Sequence, residues 1–500
     1  MTKLDADADS TAAQSRRIWI PASKGLTAYS HALLIGGAIL LLLYLWFTPK
    51  TPLNHGFGWD GVRYAWWVQN LSEDLAAGRV DSYYIGRIFP SFLVSIPARL
   101  FGIPVTSGYV VYGFCIANSL CAYLTGLFFL RACNALRISG AHTLLGVILL
   151  LATYPVTKQS GYSGVLTDLF ALAASAAMLD CWIRGKRLGL AIAILVSMFC
   201  WASTALLGTF LLLCPRGSRI NPARFSRAFT GAALALALVY ASACVYQAAK
   251  LFPDGEIMPV ATWQRALPVS LLIAAAYVFF VARAFFRAAG AGGESALFSG
   301  FAWKRLLDWS LIVPGVLILQ RLMAPAAPSG TLSLEQFLIG GITRPGLFLV
   351  GDASYYGAMA VLGALFLPLL LRAAAELGTG LLLALGFGLA LNLYPEARMT
   401  LTLAPFFVLV LVLALQHHRL TRLHWIFIAA CQALSSKIWL PFPAGAADFE
   451  KFHTYPVQYS LMSFGPWMAN DSFLLQGALL LAALAIAAMI FPRRPSEYGP

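Results

Sequence analysis

The chain has 500 residues, of which 59% are hydrophobic and 11% charged, and its mean hydropathy is +0.74. These values exclude a soluble multidomain protein and indicate a polytopic membrane protein. Apolar runs long enough to cross about 30 Å of hydrocarbon recur from Ser30 to Ile490, without an interval long enough for a separate soluble domain. The net charge of +14 does not indicate nucleic-acid binding, because most Lys and Arg residues form short clusters at the ends of apolar runs, where they set orientation.

The N-terminal tail, residues 1–29, is expected to lie in the cytoplasm. It carries a group of basic residues, namely Lys3, Arg16, Arg17 and Lys24. The apolar run Ser30–Phe47 that follows is interpreted as an uncleaved signal anchor, which makes 48–105 the first external loop. Within this loop, 88–103 is apolar but short and contains two prolines. We expect it to form a juxtamembrane or re-entrant helix, because a full crossing would invert every later loop.

In the rest of the chain, successive spans are expected to cross the membrane outward and inward in turn. Each strong basic cluster then falls on the cytoplasmic side. The expected spans and helix pairs, in chain order, are 106–130, 140–154, 164–182, a pair of short helices in 188–214 broken near Trp201, two spans around the loop 250–265, two around the loop 321–345, 378–391, a span ending at His417, 425–438, and a last helix before Arg493. The prediction is an all-α transmembrane bundle of about thirteen spans, occupying 30–491, with a cytoplasmic tail at 492–500.

The first external loop has the strongest functional signal. In its stretch WDGVRYAWW, Asp60, Arg63, Tyr64 and Trp67 are spaced i, i+3, i+4 and i+7, so they line one face of a helix. Two interpretations of the aspartate stay open. It is either the N-cap of that helix, or a carboxylate at the outer membrane surface that acts as a general base on a hydroxyl.

Further charged residues are predicted at the same membrane face. Arg87, before a proline-started helix, either extends to the interface or forms a fork for an anionic headgroup such as a phosphate. Lys158 and Asp168 in YPVTKQSGYSGVLTD are either an ion pair or part of a polar pocket wall. Glu396 and Arg398 in NLYPEARM pose the same choice between an internal pair and an arginine turned toward phosphate.

The last external loop, 439–471, is aromatic and rich in proline, and it is expected to fold over the cavity with Trp467 in its SFGPWM motif. The sequence has no HExxH, no CxxC and no carboxylate triad with metal spacing. Walker A and dinucleotide fingerprints are absent as well. We therefore expect no structural zinc, no ATP-driven transport and no Rossmann-type nucleotide site.

These features together resemble the GT-C superfamily of integral-membrane glycosyltransferases. The resemblance rests on architecture over nearly the whole chain and on loose motifs: WDGVRY directly after the first span, YYIGRIFPSFLVSIPARLFG leading into a proline-started helix, the turn YP…SGYSGVLTD, and a late NLYPEAR before an inward span. A GT-C-like fold implies transfer of a sugar, with inversion, from a polyprenyl-phosphate carrier to an acceptor hydroxyl on the outer face of the membrane.

The resemblance also implies roles for individual residues. Asp60 matches the first-loop aspartate proposed as general base, and Arg87, Lys158 and Arg398 are candidates for the donor phosphate. The expected substrate-binding residues are Arg63, Tyr64, Tyr84, Asp168, Glu396 and Trp467. No cofactor is expected, and a divalent metal is not indicated, because Asp60 has no Asp two residues away as in subfamilies with a DxD pair.

The implied partners are a polyprenyl-phosphate-linked sugar, a glycan or lipid-linked acceptor, and membrane lipids. The expected location is a bacterial inner membrane with the active site facing the periplasm. An O-antigen polymerase or ligase is the alternative within the same chemistry, but its key residues would fall in a large late loop. A lipid or solute transporter is the alternative from another class, for which inverted repeats and charges at the middle of broken helices are expected.

Overall fold

The computed structural model describes residues 25–51, 53–58, 60–201, 203–217, 227–251, 264–289, 302–324, 338–394, 396–416, 418–439, 468 and 470–491. Throughout these ranges the regular structure is helical and no β-strand is present. The predicted all-α class is therefore confirmed.

The first part of the chain alternates long helices with short connections. Its helices are α1 (Gly25–Phe47), α2 (Gly61–Ala76), α3 (Phe89–Phe101), α4 (Ser107–Ala135), α5 (Gly140–Leu151), α6 (Asp168–Ile183), α7 (Arg187–Met198) and α8 (Thr204–Leu213). The later helices are α9 (Arg227–Leu251), α10 (Leu267–Ala289), α11 (Leu306–Met323), α12 (Leu347–Tyr356), α13 (Ala358–Leu377), α14 (Thr379–Leu391), α15 (Ala404–Leu415), α16 (Arg422–Ser436) and α17 (Asn470–Ile490).

Among the described residues, eight helices are long and apolar enough to cross a membrane, or nine if a bent pair counts as one span. The bent pair is α5 with Pro155–Tyr162, which meet at 51°. An integral membrane protein is thus supported, but the count of about thirteen spans is not confirmed.

The difference comes from predicted spans and helix pairs whose helices are too short to cross a membrane alone. These are α6 with 16 residues, α7 with 12, α8 with 10, α14 with 13 and α16 with 15. At 1.5 Å per residue each covers about 15–24 Å, which is less than the hydrocarbon core. The expected juxtamembrane helix in 88–103 and the broken pair in 188–214 both appear, as α3 and as α7 with α8.

The core of the bundle lies around α4, α6, α13 and α15. Helix α4 packs on α6 and α1, and α13 packs on α15. In the span Ala397–Leu415, which contains α15, 72% of the most apolar stretch is buried, against 11% in the spans of α1 and α17. The first and last of the described spans therefore present most of their apolar surface to their surroundings, as lipid-facing helices do.

Helices α2 and α3 pack together, and a buried carboxylate fixes the end of α2. Asp74 is 3% exposed and accepts hydrogen bonds from Trp66 Nε1 (2.9 Å), Trp67 Nε1 (3.2 Å) and Arg79 Nε (2.8 Å). Burial alone would raise the pKa of the Asp74 carboxyl, but these hydrogen bonds hold it below its ordinary value. The two indole rings and Arg79 thus hold the C-terminal end of α2 around Asp74.

Candidate functional site

Asp60 immediately precedes α2, but it does not cap that helix with its side chain. Its carbonyl accepts the amides of Arg63 (3.1 Å) and Tyr64 (3.4 Å), while the carboxylate makes no capping hydrogen bond. Its backbone is already in the right-handed helical region, whereas a capping residue usually has extended dihedrals. The carboxylate, 26% exposed, is therefore available for contacts outside its own helix.

Arg87 reaches this carboxylate from the short helical turn Ile85–Arg87. The side chain of Asp81 orders the preceding loop by accepting the amides of Tyr83 and Tyr84, each at 2.9 Å. The guanidinium lies 4.4 Å from the ring centroids of both Tyr83 and Trp201, and its Nη1 is 4.0 Å from Asp60 Oδ2. Two aromatic faces thus hold an arginine that is only 5% exposed.

Arg398 approaches from the other side, on the 3₁₀ segment Ala397–Leu403. Its Nη2 lies 3.4 Å from Asp60 Oδ2, and its Nε is paired with Glu396. The hydroxyl of Tyr356 donates to the Ala397 carbonyl at 2.8 Å and so holds the segment in place. Asp60 and Arg398 are 338 residues apart in sequence.

We refer to Asp60, Arg87, Glu396 and Arg398 as the Asp60 cluster. The carboxylate of Asp60 lies between two guanidinium groups, and Glu396 neutralises one of them. Asp60 is its most exposed member, with Arg398 at 19%, Glu396 at 13% and Arg87 at 6% side-chain exposure. An anionic ligand entering from the open side would meet the carboxylate and Arg398 first.

Predicted substrate-binding aromatic residues lie against the cluster. Tyr64 is 1% exposed and accepts a hydrogen bond from Arg87 Nη1 at 3.2 Å. Burial raises the pKa of the Tyr64 hydroxyl above its ordinary value, although Arg87 opposes this, so the phenol stays neutral. Arg63 is exposed, with its guanidinium 5.7 Å from the centroid of the Tyr84 ring and 6.0 Å from that of Trp67. Arg63 and the half-buried Tyr84 thus form a surface next to Asp60, with the buried Trp67 behind them.

Asp168 lies behind the cluster, at the start of α6. It is 5% exposed, and neither carboxylate oxygen has a hydrogen-bond partner. Of the two alternatives for Asp168, a hydrogen-bonded pair with Lys158 is therefore not formed. Arg398 and Arg87 are the cations that act on it electrostatically. Asp168 adjoins a cavity of about 10 Å³ that Asn118 and Gln159 also line, a volume that suits one water molecule.

Two of the predicted site residues stay untested. Lys158 is buried within the bend Pro155–Gln159. Trp467 lies outside the described residues, as does most of the last external loop. The role of Lys158 as a phosphate ligand stays a prediction.

The sequence reasoning missed the residues that hold Arg87. Trp201 lies in the break between α7 and α8, and it was interpreted only as the position of that break. It is 2% exposed and stacks on the guanidinium together with Tyr83. A large aromatic residue at a break between two short helices is the signal that points to it.

Gly61 sets the position of Asp60, and replacing it by Ala should lower activity. A Cβ there would lie 2.8 Å from the Val165 carbonyl oxygen and 3.2 Å from the Val165 Cβ, so α2 would have to move away from the 165 loop. We expect at least a tenfold loss of activity, because a shift of about 1 Å in a catalytic group can lower the reaction rate by about 10²-fold. Gly37→Ala, in α1 with open space around it, is the matched control and should retain activity. Full activity of Gly61→Ala would contradict the role given to this contact.

Among the described residues, no group of three or more His, Cys, Asp or Glu side chains is placed to hold a metal ion. The Asp60 cluster instead has two carboxylates and two guanidinium groups in contact. Such a set suits an anionic group and a hydroxyl better than a cation. Comparison with known proteins gives no match, either among family models or among curated proteins and solved structures.

Proposed function

We propose that this protein is an inverting membrane glycosyltransferase that moves a sugar from a polyprenyl-phosphate donor to a glycan or lipid-linked hydroxyl. The observation that carries the proposal is the carboxylate of Asp60 held between Arg87 and Arg398 at a partly open position. This reaction needs a general base for the acceptor hydroxyl and cationic groups for the leaving phosphate. It needs no strong general acid, because the departing lipid phosphate already carries charge and requires little protonation.

In the proposed reaction the acceptor hydroxyl oxygen attacks the anomeric carbon of the donor sugar. The bond between that carbon and the phosphate oxygen breaks, and the polyprenyl phosphate leaves with the electron pair. The hydroxyl proton passes to Asp60. Arg398 and Arg87 stabilise the negative charge that develops on the leaving phosphate. Tyr84 and Arg63 offer the aromatic and polar surface on which a sugar ring is held, and the buried Tyr64 supports Arg87 beneath it.

The contacts between Asp60 and the arginines are ones for which a donor phosphate can compete. A phosphate carries more negative charge than one carboxylate and accepts a bidentate pair of hydrogen bonds from a guanidinium. We propose that the donor phosphate takes over the Arg398 contact from Asp60, which leaves the carboxylate free to accept the proton. Glu396 keeps its pairing with Arg398 and orients the guanidinium.

The first experiment is a transfer assay with a panel of donors. Purified protein in detergent or liposomes is incubated with radiolabelled polyprenyl-phosphate sugars and a lipid extract of cells. We expect label from at least one donor to move to an acceptor and free polyprenyl phosphate to accumulate in equal amount. Absence of release from every donor, with folded protein, would contradict the proposed class. Reporter fusions near Asp60 and Arg398 should place both on the external side.

A further inference from the structure

Arg344 is a buried cation that the proposed reaction does not use. It lies in the turn just before α12, and it is 1% exposed. None of its guanidinium nitrogens, Nε, Nη1 or Nη2, has a hydrogen-bond partner among the described residues. Burial lowers the pKa of Arg344 to about 10, so the group still carries its charge at neutral pH. A buried charge without a partner is costly, which points to a missing anion.

Two helix N-termini meet at this arginine. Arg344 precedes the first turn of α12, and its guanidinium lies 5.5 Å from the ring centroid of Phe473, in the first turn of α17. Leu347 at the start of α12 packs in one cluster with Phe473. Both helix dipoles therefore have their positive ends near the guanidinium, so its surroundings increase the demand for negative charge.

The nearby carboxylates do not meet this demand. Asp471, in the first turn of α17, is exposed and makes no ion pair with Arg344 in the described part of the chain. Asp352, near the other end of α12, is hydrogen-bonded to Asn392. Among the described residues, therefore, neither of these carboxylates pairs with Arg344.

The surrounding surface indicates which kind of anion. Leu474 and Leu475, directly after Phe473, are 57% and 61% exposed and begin the apolar surface of a span of which only 11% is buried. The end of such a helix lies at the level of the lipid headgroups, where phosphate is the abundant anion. A guanidinium matches phosphate oxygens with paired hydrogen bonds. We infer that Arg344, with the N-termini of α12 and α17, binds the phosphate of a lipid at a site separate from the Asp60 cluster.

The test measures lipid binding and does not depend on any transferase activity. Delipidated full-length protein is titrated with phosphatidylglycerol, with a polyprenyl phosphate, or with diacylglycerol, which has no phosphate. Retained lipid is counted by native mass spectrometry, and Tm is measured in parallel. We expect a phosphate lipid, but not diacylglycerol, to bind and to raise Tm by about 3 °C or more.

Arg344→Met should reduce the retained lipid at least about tenfold and remove the rise in Tm. In lipid-free detergent this variant should be at least as stable as the wild type, because it removes a buried unpaired charge. Arg321→Met, at the exposed end of α11, is the matched control and should behave like the wild type. Arg344→Lys, which keeps the charge, is expected to retain part of the binding.

Comparing the two phosphate lipids shows which kind of lipid supplies the phosphate. Comparing the Arg344 and Arg398 variants shows at which of the two sites it binds. Protection by phosphatidylglycerol identifies an ordinary anionic phospholipid, and protection by polyprenyl phosphate alone identifies a polyprenyl carrier; both support the proposal. The Arg344-dependent part of the binding should persist in Arg398→Gln, because that variant alters only the Asp60 cluster. The proposal is overturned if neither lipid binds the wild type, or if binding is the same in wild type and Arg344→Met.

Discussion

Asp60→Asn should lower kcat for sugar transfer by about 10²–10⁴-fold, the usual contribution of a general base. Asparagine has nearly the same shape but cannot accept the hydroxyl proton. The KM for the donor should stay unchanged or fall, because Arg398 and Arg87 lose a competing carboxylate that lies 3.4 and 4.0 Å away. Steady-state kinetics with varied donor concentration measures both constants.

The control for this change is Glu73→Gln, an exposed acid on the same helix. It should behave as the wild type in kinetics and in thermal unfolding. A purely structural role of Asp60 as an ion-pair partner predicts a different pattern for Asp60→Asn, in which donor affinity, kcat and Tm all fall together. Equal kcat values for Asp60→Asn and the wild type would contradict the assignment of Asp60 as the general base.

Arg398→Gln should lower kcat/KM by about 10²–10³-fold, as the loss of one group that stabilises developing charge does in other enzymes. Here the loss should include a higher donor KM, because the proposal gives Arg398 the donor phosphate in both ground state and transition state. Arg398→Lys should recover part of the activity, since it restores the charge without the planar fork. The KM increase distinguishes this variant from Asp60→Asn.

Stability needs a separate measurement for Arg398→Gln. The change leaves Glu396 and Asp60 with one fewer partner, and both are partly buried, at 13% and 26% exposure. We therefore expect a lower Tm as well, and activity is compared per folded molecule. Arg79→Gln removes another arginine of the first loop, paired with Asp74 and 59% exposed, and should leave kinetics unchanged. A loss of activity in Arg398→Gln that follows the folded fraction alone would contradict a role in donor binding.

Sequence-based predictions placed residues together correctly where the local helical pattern and the predicted topology agreed. Asp60, Tyr64 and Arg63 share one face of α2 because helical spacing fixes that face. The alternation of basic clusters gave a reason to expect Arg87 and Arg398 at the same side, and the structure places both within 4.0 Å of one carboxylate oxygen. The Asp60 side chain was the ambiguous point. The structure shows no capping hydrogen bond from it, and its role as a general base stays a proposal.

Lys158 and Asp168 show where closeness in the sequence is a poor guide. The sequence left open an ion pair or a pocket wall, and in the structure neither carboxylate oxygen of Asp168 has a hydrogen-bond partner among the described residues, while Asp168 lines a small cavity. The span count has a related cause. Apolar composition predicts burial, but it does not distinguish a helix of 13 residues from one that crosses the membrane.

From the sequence alone, this protein is determined to be an all-α membrane protein with a polar, aromatic first loop, because composition and apolar periodicity depend only on the order of residues. The tertiary structure decided which charges meet. Asp60 lies between Arg87 and Arg398, Trp201 stacks on Arg87, and Arg344, which has no hydrogen-bond partner among the described residues, lies at two helix N-termini. Such contacts join residues far apart in the chain, and only the packing of the helices brings them within a few ångströms of one another.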